Sequence, residues 1–296
     1  MSRILVVTLG GTICSAVEKG DTIKLRTAPD KQIFEALKKK NELTYLTPIL
    51  YSSENADGEY FRKALSAIAD ECEKDKPDGI LILHGTDSAA FFAQLAVRVL
   101  SYFDIPVLIT GSKLPMDDPH SDAVRNVSYA MGLLSAACEG KLGAVTFGIV
   151  YTDGMMEDTV FVPANRVTDA NFDGDYGKFP SKPSVRTLNK KEAHQFFASP
   201  VKKILTIPAV PGYPFAEVDP SRYDSILIGT YHSGTQSVRG LTDLIGRARG
   251  AGVTCYMGPV HQSKVMYDST RELIKAGAVP LYEIPFEGCW AEVVVN

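Results

Sequence analysis

The sequence predicts an α/β protein of two domains, a larger N-terminal one built on a mostly parallel sheet and a smaller C-terminal one. Three observations predict it. Short β-branched runs without charges recur along the chain, and amphipathic stretches of helical spacing lie between them. The alternation breaks once, at a Gly-, Asp-, Pro-, Lys- and Ser-rich stretch over Asp169–Leu188, and then restarts at Lys203. Uncharged strands separated by helices belong to parallel sheets covered on both faces. The expected division is 1–185, a linker over 186–200, and 201–296.

The predicted strands come in order at Ile4–Val7, Ile80–Leu83, Val107–Ile109, Val145–Val150, Ile204–Ile207, Ile226–Ile228 and Val253–Tyr256. A helix is predicted over Gly58–Glu73, where Phe61, Leu65, Ile68 and Cys72 repeat on one side and charges fill the other. Ser88–Leu100 is apolar almost all round and reads as a buried helix. Ser121–Asn126 opens another, and Asn189–Ala198 reads as a helical connector. Ser237–Arg249 and Ser269–Lys275 repeat the amphipathic pattern, and Lys38–Lys40 reads as the solvated end of a helix.

Composition narrows the function classes. The chain has 296 residues, 31 Lys plus Arg against 35 Asp plus Glu, and a net charge of −4. A weakly acidic balance speaks against a nucleic-acid binder, which presents a basic face. With 45% hydrophobic and 22% charged residues the chain is ordinary for a folded protein with a real core. No run of 18 uncharged apolar residues offers a membrane span. Five scattered cysteines without a CxxC pair read as reduced thiols, and the first strand follows the initial Met-Ser-Arg at once, so a cytoplasmic location is expected.

In open α/β sheets, ligands bind beyond the carboxyl ends of the strands, so the polar residues after each apolar run carry the functional signal. After the first run comes Thr8-Leu9-Gly10-Gly11-Thr12-Ile13-Cys14. Its glycines permit close approach of backbone to a ligand and Thr12 offers a hydroxyl, but no GxGxxG or GxxxxGK[ST] phosphate motif is present. After the second comes His84-Gly85-Thr86-Asp87-Ser88, which opens a helix whose N–H groups could hold an anion or oxyanion. Asp87 or Ser88 would equally serve there as a plain helix cap, and His84 as a hydrogen-bonded structural histidine. After the third comes Thr110-Gly111-Ser112-Lys113-Leu114-Pro115. No metal-ligand spacing and no GxSxG elbow is present.

The pair Thr8-Leu9-Gly10-Gly11-Thr12-Ile13 and His84-Gly85-Thr86-Asp87-Ser88 resembles the two signature motifs of the bacterial-type L-asparaginases, closest to the cytoplasmic type. The resemblance continues at Ser52-Ser53-Glu54, Thr110-Gly111-Ser112-Lys113-Leu114-Pro115 with Ser121-Asp122, Ala164-Asn165-Arg166-Val167-Thr168 and Thr230-Tyr231-His232-Ser233-Gly234. It implies a smaller domain of flavodoxin-like kind, assembly as a homodimer or homotetramer, and hydrolysis of a small amino-acid amide without metal or organic cofactor. It also implies roles for particular residues. Thr12 matches the nucleophile, Thr86 the second catalytic threonine, and Asp87 the carboxylate for the substrate's α-amino group. Ser52, with Ser53, matches the site of the α-carboxylate, joined by the turns at Gly11, Gly85 and Ser112.

Three positions depart from the family pattern. Asp169 stands where the family places a catalytic lysine, Thr22 falls near the expected loop tyrosine, and Thr235 replaces an asparagine. A carboxylate at the lysine position would disfavour an alkoxide at Thr86. Three expectations follow: Lys113 or Lys24 substitutes, the enzyme takes another small amide with Asp169 pairing a cation, or the pocket only binds an amino acid. Lys113 can equally be a solvated turn residue. An asparaginase-like component of the amidotransferase that forms Gln-tRNA is the less expected alternative, since such components carry an additional N-terminal domain.

Overall fold

The computed structural model describes residues 1–18, 22–26, 41–142, 147–152, 159–168, 185–262 and 265–296. The chain divides into two compact units, Met1–Gly177 with Thr187–Ser199, and Lys178–Arg186 with Pro200–Asn296. Thr187–Ser199, inside the stretch expected to be a linker, thus clusters with the larger unit.

The larger unit is built on six strands: β1 (Arg3–Thr8), β4 (Glu42–Leu46), β5 (Gly79–Leu83), β6 (Val107–Thr110), β7 (Phe147–Thr152) and β8 (Thr159–Pro163). Their order is β4-β1-β5-β6-β7-β8, parallel except for β8, which pairs antiparallel with β7. The parallel part has the doubly wound order 2-1-3-4-5, so the flavodoxin-like topology expected of the smaller unit belongs to the larger one. The chain leaves β1 toward β4 on one side and crosses back to β5 on the other. The switch point therefore lies between β1 and β5. Register levels the strand ends, with Thr8 paired to Leu83, Leu83 to Thr110, and Thr110 to Val150 in one row.

Alternation explains the layers. Ile4, Val6, Leu81, Leu83, Leu108 and Val150 face helix α3 (Ala123–Cys138), where Val127, Ala130, Met131 and Leu134 pack on them. On the other side lie α1 (Gly58–Asp75) and α2 (Ala89–Leu100), joined by Phe61 against Phe92 at 5.5 Å between ring centroids. Asp57 caps α1 by accepting from the N–H groups of Glu59 and Tyr60. In α2 every residue but Phe91 is buried, as its all-round apolar character predicts. Helix α4 (Lys190–Ala198) carries a capping box between Asn189 and Glu192.

The smaller unit holds four parallel strands in sequential order, β9 (Ile204–Ile207), β10 (Ser225–Gly229), β11 (Thr254–Val260) and β12 (Val279–Tyr282). Helices α5 (Leu241–Gly250) and α6 (Asp268–Ala276) supply Leu241, Leu244, Ile245 and Leu273 to one core. Helix α7 (Phe286–Val295) contributes Cys289 and Val293 to another core cluster. Helix α5 begins four residues after the predicted Ser237, because Gly240 takes φ +74 and Gln236 spends its amide on Gly229 O. Beyond the predicted elements stand β4, β8, β12, α7 and a hairpin of β2 (Ser15–Glu18) with β3 (Thr22–Leu25). Lys38–Lys40 lies outside the described residues. Among the described residues no helix is long and apolar enough to cross a membrane.

Candidate active site

Close backbone approach assembles the site at the β1/β5 switch point. Gly10 (φ +108) and Gly11 (φ +77) take conformations that L side chains rarely adopt. A Cβ on Gly11 would lie 2.1 Å from the Gly85 Cα, and one on Gly85 would lie 2.3 Å from Ser53 Oγ. A Cβ on Gly111 would meet His84 O at 2.6 Å and the Thr86 methyl at 3.4 Å. The absence of side chains at three glycines thus brings the turns after β1, β5 and β6, and the Ser52–Ser53 turn, into one cluster. Gly11 meets Gly85, Gly85 meets Ser53 and Gly111 meets Thr86, and Thr12 and Ser52 are chain neighbours of this set.

Hydrogen bonds then fix the polar groups. Ser53, buried, donates its hydroxyl to Asp87 Oδ2 at 2.7 Å, and Ser88 Oγ donates to Ser53 O at 2.7 Å. Neither Asp87 nor Ser88 caps helix α2 with its side chain, so the capping role open to them in the sequence is not the one they take. Asp87 is exposed and Thr12, Thr86 and Ser52 are half-buried, as groups that meet a ligand need to be. Ser53 thereby supports Asp87. Thr12 opens a short 3-10 turn, Thr12–Cys14, held by Cys14 N–H and Ser15 Oγ, both donating to Gly11 O.

His84 is buried. Its Nδ1 lies 2.7 Å from Gly85 O and its Nε2 3.2 Å from the Tyr51 hydroxyl. Burial pushes its pKa down to about 4, so it is neutral at physiological pH. The structural role weighed for it in the sequence is the one it takes.

The turn after β6 has its own supports. Ser112, buried, donates its hydroxyl proton to Leu114 O at 2.7 Å within the turn. Lys113 donates its N–H to Asp122 Oδ1 at 2.9 Å, and its ammonium stands 5.9 Å from the centroid of the Tyr151 ring. Asn126, fully buried at the first turn of α3, donates from Nδ2 to Gly111 O at 2.9 Å and to Asp122 Oδ2 at 3.1 Å, and accepts from Thr152 Oγ1. Lys24 forms an exposed ion pair with Glu18 at 2.7 Å on the β2–β3 hairpin. Thr22 pairs with Glu18 in the same hairpin. Asp169 lies outside the described residues. In the smaller unit, Thr235 Oγ1 lies 2.9 Å from Ser233 Oγ and its carbonyl accepts from Tyr231 N–H.

Comparison with known proteins decides the family. A sequence model of the asparaginase N-terminal domain matches residues 3–155, more than half of the chain. The chain belongs to the asparaginase family. A glutamyl-tRNA(Gln) amidotransferase component from Saccharolobus islandicus is 33% identical over 144 residues, 47% of this chain and 31% of that protein. The match therefore spans about a third of the length of such curated relatives. The L-asparaginase of Thermococcus kodakarensis is 44% identical over 57 residues, 19% of this chain and 17% of that one. Among solved structures, the thermostable L-asparaginase from Thermococcus kodakarensis superposes with a TM-score of 0.72 at 20% identity, over 99% of this chain and 92% of that one. The probable cytoplasmic L-asparaginase from Campylobacter jejuni does so with 0.73 at 16% identity, over 100% and 94%. At these identities the likeness is one of fold.

Within this asparaginase-family site, sequence reasoning passed over three supporting residues: Tyr51, Asn126 and Thr152. All three are buried polar groups with partners far away in sequence. Asn126 follows Asp122 by one helical turn, and that i, i+4 spacing was the one local signal for it.

Proposed function

We propose that this chain is an amidohydrolase that converts L-asparagine, or a closely related small amide, to the carboxylate and ammonia. The observation that carries the reading is the convergence of the Gly10-Gly11-Thr12 and Gly85-Thr86-Asp87 turns, with Gly11 packed on Gly85 and Asp87 tethered by Ser53. Small hydroxyls, glycine backbone and one exposed carboxylate make a compact polar site suited to a zwitterion. Thr12 Oγ attacks the amide carbon, and backbone N–H groups of the turns hold the developing oxyanion. The C–N bond breaks as the hydroxyl proton passes to the leaving nitrogen, ammonia departs, and water hydrolyses the ester to regenerate Thr12. Asp87 binds the substrate's α-ammonium and Ser52 its α-carboxylate.

Lys113 is the cation of this reading, placed on the turn after β6 at the same sheet edge. Ammonia release from L-asparagine, L-glutamine and D-asparagine by wild type, Thr12→Ala and Lys113→Met tests the assignment. Turnover of one amide, abolished in Thr12→Ala and reduced in Lys113→Met, is the expected result. Undiminished activity in Lys113→Met removes that residue from the mechanism. No turnover of any amide favours a binding protein, which calorimetry with aspartate and asparagine then reads out.

A second reading rests on the 33% identity over 144 residues to the amidotransferase component. In it the chain releases ammonia for a partner enzyme, and turnover by the isolated chain would be weak until that partner is added. The reading includes assembly as a homodimer or homotetramer, which sedimentation velocity checks. It also includes a reducing compartment, supported by five unbridged cysteines, four of them buried.

A further inference from the structure

Tyr51 holds both candidate catalytic turns. Its main chain holds the first: Tyr51 N–H donates to Leu9 O at 3.2 Å, and Gly11 N–H donates to Tyr51 O at 3.3 Å. Its hydroxyl holds the second through His84, 3.2 Å from Nε2, while Nδ1 lies 2.7 Å from Gly85 O. A carbonyl oxygen only accepts, so Nδ1 carries a proton. The ring is packed against Phe92 at 4.6 Å and Phe61 at 6.2 Å between centroids. Buried there with a pKa near 4, it keeps one proton at neutral pH. Nε2 is then the acceptor and the Tyr51 hydroxyl the donor.

The consequence falls on the next peptide. Among the described residues only Gly258–Pro259 is cis, so the Gly85–Thr86 peptide is trans. A planar trans peptide points its N–H opposite to its C=O. With Gly85 O turned toward the buried His84 ring, the Thr86 N–H is turned away from the core. Among the described residues it donates to no backbone acceptor.

We infer that Tyr51 and His84 are positioning residues, whose hydrogen-bond chain to Gly85 O fixes the Gly85–Thr86 peptide so that the Thr86 N–H is presented to the oxyanion. This rests on the amidohydrolase reading. It also assigns Tyr51 a second task, since the same residue sets the Gly10–Gly11 turn that carries Thr12.

The test compares ammonia release by Tyr51→Phe, His84→Gln and His84→Asn, with thermal unfolding of each. An Asn amide reaches the place of Nδ1 and can donate to Gly85 O, whereas a Gln amide reaches that of Nε2 and cannot. Losing one oxyanion donor outright costs about 100- to 1,000-fold in kcat, so loosening it predicts about a tenfold fall for Tyr51→Phe and up to about 100-fold for His84→Gln, with KM within about twofold. His84→Asn, which keeps the donor to Gly85 O but not the Tyr51 partner, is expected to fall no further than Tyr51→Phe, well above His84→Gln. His84→Asn as slow as His84→Gln, or a rise in KM with kcat unchanged, overturns the proposal. Long-range proton–nitrogen spectra of the wild-type imidazole give a readout that needs no turnover. A neutral ring protonated at Nδ1 is expected, and protonation at Nε2 overturns the proposal whatever the activity. An Nδ1-protonated ring in a chain that hydrolyses no amide overturns the oxyanion role together with the amidohydrolase reading, while the hydrogen-bond chain itself stands.

Discussion

The hydroxyl of buried Ser53 donates to one oxygen of exposed Asp87 at 2.7 Å. One carboxylate oxygen is thereby committed to the protein, and in the proposed reading the other meets the substrate's α-ammonium. The bond also sets the direction of a side chain that stands on a turn and has no cap to hold it. A hydrogen bond to a charged group is worth about 1.5–3 kcal/mol. Ser53→Ala is therefore expected to raise KM by about tenfold or more with little change in kcat, measured by steady-state ammonia release. A fall in kcat at constant KM would place Ser53 elsewhere in the mechanism.

Gly11 is fixed by geometry rather than by any chemistry of its own. An added Cβ would lie 2.1 Å from the Gly85 Cα and sit on a residue with φ +77. Gly11→Ala is expected to cost at least about 3 kcal/mol, a drop in Tm of about 6–12 °C for a unit of this size, and to abolish turnover. Gly132→Ala is the control, in helix α3 with nothing within 4 Å of the new methyl. It is expected to stabilise by up to about 1 kcal/mol and to leave activity unchanged.

Asn126 joins the turn after β6 to β7 through Gly111 O, Asp122 and Thr152. Asn126→Ala leaves several buried groups unpaired at once, at about 1–3 kcal/mol for each group not rescued by water. The expected result in urea unfolding is a loss of about 2–4 kcal/mol, with a lower kcat because Gly111 and Lys113 lose their anchor. Wild-type kcat in a destabilised Asn126→Ala would show that this turn is not part of the chemistry.

His84 makes stability depend on pH. Burial lowers its pKa from 6.5 to about 4, so between those values the unfolded chain binds a proton that the folded chain refuses. Stability from this group is unaffected above about pH 6.5 and falls as the pH drops toward 4. The full difference is about 3 kcal/mol, at 1.36 kcal/mol for each unit. Urea unfolding of wild type and His84→Asn at pH 7, 5.5 and 4.5 is expected to show wild type losing stability faster on acidification. Parallel curves would mean that His84 is not held neutral by the fold.

Much of this was legible in the sequence because local patterns carried it. The uncharged runs of β1, β5 and β6 are fully internal strands and announce themselves by composition, and the glycines of Gly10-Gly11 announce a close approach. What they approach was not legible, since Gly85 and Tyr51 lie far along the chain. Strand order is likewise absent from periodicity, and the 2-1-3-4-5 order therefore emerged in the larger unit rather than the smaller. The missed strands β4, β8 and β12 are short and lie at sheet edges, where half-exposed residues dilute the apolar signal. Helix α7 ends in Val293-Val294-Val295, a β-branched run of low helix propensity that gives no helical signal in the sequence. Of the site, the motif residues were read from likeness and their supports were not, because Tyr51, Asn126 and Thr152 act only through distant partners. Asp169 lies outside the described residues, and Lys113 as the cation of the site belongs to the proposed reading.

The central claim is that Thr12 is acylated during turnover. The most direct measurement is acid quenching of wild type during amide hydrolysis, followed by peptide mass mapping. The account predicts an acyl adduct on the peptide containing Thr12, absent from Thr12→Ala, which also releases no ammonia. An adduct on Thr86, or undiminished ammonia release by Thr12→Ala, would contradict it.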